Sequence, residues 1–416
     1  LDNIIPMKNL HLMKIKANLR LLVFSFLLLS STSIFAQSEF ITLRNNLQTT
    51  LDSVISADKF PGATMAAVMP DGQIISLSGG FSDVENQTPM PLGGQMLTGS
   101  TGKIFVSAVA LQLISEGKFG LDDKVSKYFG EEDWFSRLPN ANDLTVRSLM
   151  NHTSGLPRYV FADGFLNEVK NNPMRTWTPL ECLTVIFDMP AKHPVGEGWG
   201  YSDTNYILLG MIMEKITGDS FYNLTKNRLL LPLNLQKTYP STQRELPGLV
   251  PGYIGSNNFF GLPKKTVENG LYCMNPQFEW TGGGFVTNVE DMAVLVNRIH
   301  KGQVLSAEIY KELVSPVDFR TGQPAEAGYG LGTFVWKTEN GDFLGHAGIM
   351  PGYLTQVEFS KKYGFSVAFQ TNTDESSRKH HAHVQSFAKT ISEYIENQYK
   401  ADELAIRENF KKQEEC

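Results

Sequence analysis

Two hydrophobic periods, near 3.6 and near 2, alternate along this chain, and the places where one replaces the other mark its elements. From Phe40 to Val54 apolar residues recur at helical spacing, which predicts a surface helix. Gly62 to Met69 and Gln73 to Ser78 are β-rich, and Pro70-Asp71-Gly72 between them suits a tight turn, so the pair predicts a hairpin. Lys103 to Ile114 is apolar at nearly every position and ends at Gly117, the pattern of a buried helix with a glycine stop. From about 120 to 280 helical patterns are broken by loops, notably Leu144 to Met150 and Asn205 to Thr217 with Gly218 as the stop. Strand signals return at Gly284 to Val286, Gly332 to Trp336, Leu354 to Phe359 and Phe365 to Gln370, and His383 to Tyr399 closes the pattern as a helix. Strands from both ends of the chain with helices between predict an α+β fold: an antiparallel sheet from about 40–100 and 281–395, flanked by helices, with an inserted all-α subdomain over about 120–280. Residues 401–416 read as a charged tail that frays.

Composition narrows the class. The 416 residues are 42% hydrophobic and 19% charged, a folded chain able to bury a large core. Formal net charge is -6 with no long Lys/Arg block, which excludes a nucleic-acid partner. Residues 1–36 combine a basic start (Lys8, Lys14, Lys16, Arg20), an apolar run from Leu21 to Leu29 too short to span a bilayer, and a small-residue end at Ala36. They predict a signal peptide cleaved after Ala36, hence a secreted or periplasmic product with no stable membrane span. Of the three cysteines, Cys182 and Cys273 are the candidates for one disulfide in an oxidising compartment, two buried thiols being the other reading, and Cys416 is the third. No Cys-x-x-Cys pair is present to bind zinc.

Three short motifs carry the candidate chemistry. Ser100 and Lys103 stand one turn apart at the mouth of the buried helix, behind Gly93-Gly94 and Gly99. A serine hydroxyl is a weak nucleophile and needs a base within hydrogen-bond reach, which a lysine held out of water can be. Ser-x-x-Lys occurs five times, starting at Ser56, Ser100, Ser115, Ser376 and Ser386, but only the Ser100 copy has a glycine-rich entry to a buried helix. Tyr201-Ser202-Asp203 follows the glycine-rich stretch 196–200, and a phenol beside an ammonium is expected to be acidified into a proton relay. The plainer reading of that segment is a loop before a helix, with Asp203 as N-cap. Gly345-His346-Ala347-Gly348 places a histidine among small residues on an expected edge strand, leaving room for an extended substrate. Gly-x-Ser-x-Gly is absent around Ser100, where Thr98 replaces the first glycine, so this is not a nucleophile elbow. His380, His381 and His383 read as an exposed polar turn rather than a metal site.

In that order and at those intervals, Ser100-Thr101-Gly102-Lys103, Tyr201-Ser202-Asp203 and His346-Ala347-Gly348 resemble the three-motif pattern of penicillin-recognising serine enzymes. The branch is that of class C β-lactamases, D,D-peptidases, D-amino-acid peptidases and related esterases. Residues 149–157 (LMNHTSGLP), 201–210 (YSDTNYILLG), 281–292 (TGGGFVTNVEDM) and 329–332 (YGLG) add to the resemblance, which runs from about 40 to 395. It implies a β-lactamase/transpeptidase-like fold with a cleft between sheet and helical parts. It also implies Ser100 as nucleophile, Lys103 and Tyr201 as proton-handling partners, and an oxyanion hole of the Ser100 and Ile349 backbone N–H groups, with Asp203, His346, Ala347 and Gly348 facing substrate. No cofactor or metal is implied. Which of Lys103 and Tyr201 is the acylation base stays open.

Two departures stand out. Asp203 replaces the family's usual asparagine, an acceptor-only carboxylate in place of an amide donor, and histidine stands at 346 where most β-lactamases have lysine. The expected activity is therefore hydrolysis of an amide or peptide bond, as by a D-amino-acid peptidase or D,D-carboxypeptidase, on a small-molecule or peptide substrate including cell-wall peptide. An esterase, a β-lactamase and a non-catalytic sensor are the alternatives. Residues 251–280, rich in Phe, Tyr and Asn, are expected to overhang the cleft, with Tyr253, Phe259 and Phe260 setting acyl preference.

Overall fold

A computed structural model of the chain describes residues 37–414, so the signal peptide expected over residues 1–36 and Cys416 both lie outside the described residues. Contacts divide the chain after Thr49 into a short first unit and a main unit from Thr50 onward, and the backbone is helical over residues 37–58 (α1). The main unit contains β1 (Gly62–Val68), β2 (Ile74–Asp83), β3 (Thr88–Pro89), β4 (Met96–Leu97), β5 (Tyr239–Pro240), β6 (Val267–Glu268), β7 (Leu271–Tyr272), β8 (Phe285–Thr287), β9 (Gly328–Tyr329), β10 (Phe334–Thr338), β11 (Gly341–Met350), β12 (Tyr353–Ser360) and β13 (Ser366–Thr371). Its α-helices are α2 (Lys103–Ser115), α3 (Ser126–Phe129), α4 (Val146–Met150), α5 (Asp163–Asn171), α6 (Pro179–Thr184), α7 (Asp203–Thr217), α8 (Phe221–Thr225), α9 (Val289–His300), α10 (Ala307–Leu313) and α11 (His380–Glu414).

Eight strands form one sheet in the order β3-β2-β1-β13-β12-β11-β10-β9, every neighbouring pair antiparallel. The β1–β2 hairpin closes as expected, with the Gly72 N–H donating to Met69 O at 2.9 Å. Every residue of β1, β12 and β13 is buried, because helices cover both faces. Ser366 donates to Ala293 O of α9 at 2.8 Å, while Phe369, of opposite parity on β13, meets Phe387 of α11 with ring centroids 5.5 Å apart. Hence α9 and α11 lie on opposite faces.

Helix α2 reads hydrophobic all round because it is a central element: Lys103 to Leu111 are all buried. The stretch between it and β8 holds α3 to α8, as expected, but also β5, which pairs with β8 in a small sheet β4-β8-β5, and the β6–β7 ladder. Periodicity could not find strands two residues long. Helix α7 stops at Gly218, at φ +69°.

Several expectations change. β11 is an interior strand rather than an edge: β10 pairs with it only as far as Gly345, so the stretch from His346 to Met350 is paired on one side alone. The expected charged tail continues α11 to Glu414, since residues 401–414 contain no Gly or Pro to end the helix. His380 is 2% exposed, His381 Nδ1 lies 2.6 Å from Glu358 and His383 Nε2 lies 2.7 Å from Asp58, so these histidines dock α11 and are not an exposed polar turn. Their buried partners are far away in sequence. Cys182 and Cys273 are free thiols. Among the described residues no helix is long and apolar enough to cross a membrane.

Candidate active site

Ser100 lies in a 3-10 turn, Gly99–Gly102, that runs directly into α2. The turn docks where the β10 ladder stops, against β11. Gly99 sits at φ +50°, and a Cβ there would stand 2.6 Å from Ile349 N, while a Cβ on Gly348 would stand 2.9 Å from Ser100 N. Both positions must be glycine for the two backbones to meet at this distance. Thr98 and Thr101 fasten the turn: Thr98 Oγ1 donates to Gly283 O at 2.5 Å and Thr101 Oγ1 to Thr98 O at 2.7 Å.

The β11–β12 hairpin turns through Pro351-Gly352, with Met350 opposite Tyr353 and Ile349 opposite Leu354. Alternation of hydrogen-bonded and non-hydrogen-bonded pairs from a two-residue turn leaves the Ile349 N–H on the side away from β12, toward the Ser100 turn. Ser100 and Ile349 can therefore present two backbone donors to one oxygen. Ala347 and Ile349 are exposed, while His346 and Gly348 point inward.

Lys103 is fully buried and spends its three ammonium protons at once, donating to Ser100 Oγ at 3.2 Å, Asp203 Oδ1 at 2.6 Å and Gly282 O at 2.6 Å. Burial alone would depress its pKa, but the Asp203 carboxylate more than compensates, and the amine is held above its usual range. The Gly282 carbonyl comes from a turn in which Trp280 is forced to φ 36° and ψ -115°, a costly conformation for a bulky residue.

Tyr201 packs its ring against Lys103 Nζ at 5.0 Å, and its hydroxyl is buried beside Ser100 and Lys103 without closing a well-aligned hydrogen bond to either. The expected acidified phenol is not found. Burial, helped by Asp203, outweighs the neighbouring cations and raises the phenol above its ordinary value. At rest both candidate bases are thus protonated. Asp203 is the first residue of α7 rather than its N-cap, which is Ser202.

His346 lies opposite Tyr201, with ring centroids 6.1 Å apart, and is 1% exposed. Its Nδ1 donates to Ala347 O at 2.6 Å and its Nε2 accepts from the Tyr329 hydroxyl at 2.8 Å. Burial, reinforced by Lys103, takes its pKa down to about 3, so this wall of the cleft is neutral.

Three residues of the site escaped the sequence reading. Arg158 holds the second oxygen of Asp203, Nη2 at 2.7 Å and Nε at 3.1 Å. Together Arg158 and Lys103 draw the Asp203 carboxyl far below the usual range despite its burial. A carboxylate at 203 was the available signal, since a buried charge demands a partner. His152, at φ 63°, lies with its ring 4.2 Å from that of Tyr201, and its Nδ1 accepts from Asn205 Nδ2 at 2.9 Å, fixing the loop that carries the tyrosine. Glu279 is 8% exposed, and burial lifts its pKa to about 8. Of the residues expected to overhang the cleft, Phe259 is 57% exposed beside Phe161, but Phe260 packs on Phe278, and Tyr253 is buried with its hydroxyl donating to Glu85 at 2.7 Å.

A serine at the entry of a buried helix, a lysine and a tyrosine around it and a sheet strand alongside define a serine hydrolase of the β-lactamase/transpeptidase-like fold. The chain belongs to the Beta-lactamase family, whose model matches residues 44–388. It is 25% identical over 346 residues to penicillin-binding protein 4* of Bacillus subtilis, covering 80% of this chain and 73% of that one. It is 25% identical over 300 residues to a D-aminopeptidase of Brucella anthropi, covering 72% of this chain but only 53% of that protein. The crystal structure of a D-stereospecific amidohydrolase from Streptomyces sp. superposes with a TM-score of 0.68 at 27% identity, covering 79% of this chain and 94% of that one.

Proposed function

We propose that this protein hydrolyses an amide or peptide bond next to a D-amino acid, through an ester formed on Ser100. The observation that carries the reading is the Ser100 hydroxyl 3.2 Å from the Lys103 ammonium, on a turn whose backbone N–H shares a face with that of Ile349. Ser100 Oγ attacks the carbonyl carbon, and its proton passes through the Lys103–Tyr201 pair to the leaving amine as the C–N bond breaks. Water then repeats the sequence and frees the acid. The two backbone donors stabilise the oxyanion in both steps. A D-configured amide or peptide is favoured over a β-lactam because the relatives include a D-stereospecific amidohydrolase and a D-aminopeptidase, and because neutral His346 offers no fixed charge to a β-lactam carboxylate. The pattern of residues 1–36 supports a site of action outside the cytoplasm.

Intact-protein mass spectrometry with a penicillin and with a fluorophosphonate tests this. Adducts with both reagents, absent in Ser100→Ala, together with turnover of D-alanine amide but not its L-isomer, are expected. A fluorophosphonate adduct with ester turnover and no amide turnover would replace this reading by an esterase, and adducts surviving Ser100→Ala would overturn it.

A further inference from the structure

The charges around Ser100 do not balance. Lys103 and Arg158 face Asp203 alone, because Glu279 stays protonated up to about pH 8 and burial keeps His152 and His346 neutral. Of the three charged side chains only Arg158 reaches solvent, 33% exposed against 8% for Asp203 and 0% for Lys103. Its Nε and Nη2 are both spent on Asp203 Oδ2, while Nη1 makes no hydrogen bond among the described residues. The guanidinium is also fixed in place, 5.1 Å over the Tyr201 ring and 4.5 Å over that of Phe161. Phe161 and Phe259, 48% and 57% exposed and 6.0 Å apart, form an apolar wall beside it.

From this geometry we infer that Arg158, aimed by Asp203, is a specificity-determining residue whose free Nη1 edge binds a carboxylate on the acyl side of the substrate. Asp203 has lost the amide donor that would hold a neutral carbonyl, and it uses its charge instead to orient a stronger donor one layer further out. A preformed, ion-paired guanidinium loses little freedom on binding an anion and forms a charge-assisted hydrogen bond with it. With His346 neutral and Lys103 fully buried, that edge is the solvent-reaching cationic donor of the Lys103–Asp203–Arg158 group. The inference deepens the amide-hydrolase reading and rests on it for the orientation of the substrate.

Binding measurements separate the two, since they require no turnover. Calorimetric titration of the Ser100→Ala variant with the N-succinyl and N-pentanoyl forms of D-alanine amide compares ligands of nearly equal length that differ in one terminal carboxylate. The succinyl form should bind about tenfold to a hundredfold more tightly, as a charge-assisted hydrogen bond gives, and the ratio should shrink with added salt. In Arg158→Gln on the same background the ratio should fall to about one. Circular dichroism checks that this variant folds, and if it does not, Arg158→Lys must still reduce the ratio, because a point charge cannot serve Asp203 and the ligand through one planar fork. Equal affinity of the two ligands in the parent, or an undiminished ratio in the folded arginine variant, would overturn the inference while leaving Ser100 acylation untouched.

Discussion

Asp203 uses one oxygen for Lys103 and the other for Arg158, and this sharing sets the protonation of everything near Ser100. Removing one member of a buried pair strands the remaining charge at a cost of about 3–5 kcal/mol, so the triad is maintained as a unit. Glu279, the fourth ionisable group, behaves oppositely: no cation reaches its oxygens closely enough to offset burial, and its pKa is raised from 4.5 to about 8. The sign of its linkage follows. A carboxyl that binds its proton more tightly in the folded state than in the unfolded chain contributes full stability below about pH 4.5, loses it as pH rises to about 8, and changes no further above. Relative to the wild type, Glu279→Gln should therefore gain stability progressively across that window, by up to a few kcal/mol, measured as the difference in urea unfolding free energy at pH 5 and pH 8.5. A difference independent of pH would sink the assignment. Ser100, Lys103 and Tyr201 could be singled out in the sequence because three short motifs, each weak alone, stand in the order of a known family's pattern. Arg158 was not, since one arginine among 37 Lys and Arg residues carries no mark until Asp203 is seen across the fold.

At the scale of elements the site depends on a turn meeting the open side of a strand. The β10–β11 ladder stops at the Phe334–Gly345 pair, and the Ser100 turn occupies the place that a continuation of β10 would take beside β11. Glycine at 348 makes that possible, since a Cβ there would collide with the Thr98 carbonyl and stand 2.7 Å from Thr101 N. Gly348→Ala should push the turn off the strand and separate the Ser100 and Ile349 backbone N–H groups, the proposed oxyanion donors. Displacement by about 1 Å costs on the order of a hundredfold in rate, so the fluorophosphonate labelling rate of Ser100 should drop by at least that factor, with a lower Tm. A variant labelled at the parent rate would show that the close approach is unnecessary. The hairpin β1–β2, helix α2 and helix α7 were predictable to within a few residues. The two-residue strands β3, β4, β5, β6, β7 and β9 were not, because pairs that short hold no period and exist only through their partners.

For the molecule as a whole, the sheet is closed by α9 on one face and α11 on the other, and α11 is tied down by polar contacts as well as by Phe387. His381 meets Glu358, a 0% exposed carboxylate on β12, and the hydrogen bond with it raises the imidazole pKa. A raised histidine pKa contributes stability that is present below the unfolded value near 6.5 and lost as pH climbs through the folded one. His381→Gln should accordingly lower Tm more at pH 6 than at pH 9. Equal losses at both would mean that the contact is one of shape only. The chain alone determined the longer elements β1, β2, α2 and α7, the α+β class and the three motifs, because periodicity, glycine placement and short spacings act over a few neighbouring residues. Tertiary structure decided that the lysine and tyrosine are protonated at rest, that His346 is neutral, that three histidines dock a helix, and that a half-buried arginine holds the second oxygen of Asp203. Those properties depend on burial and on distances between residues far apart in the chain, which no local pattern encodes.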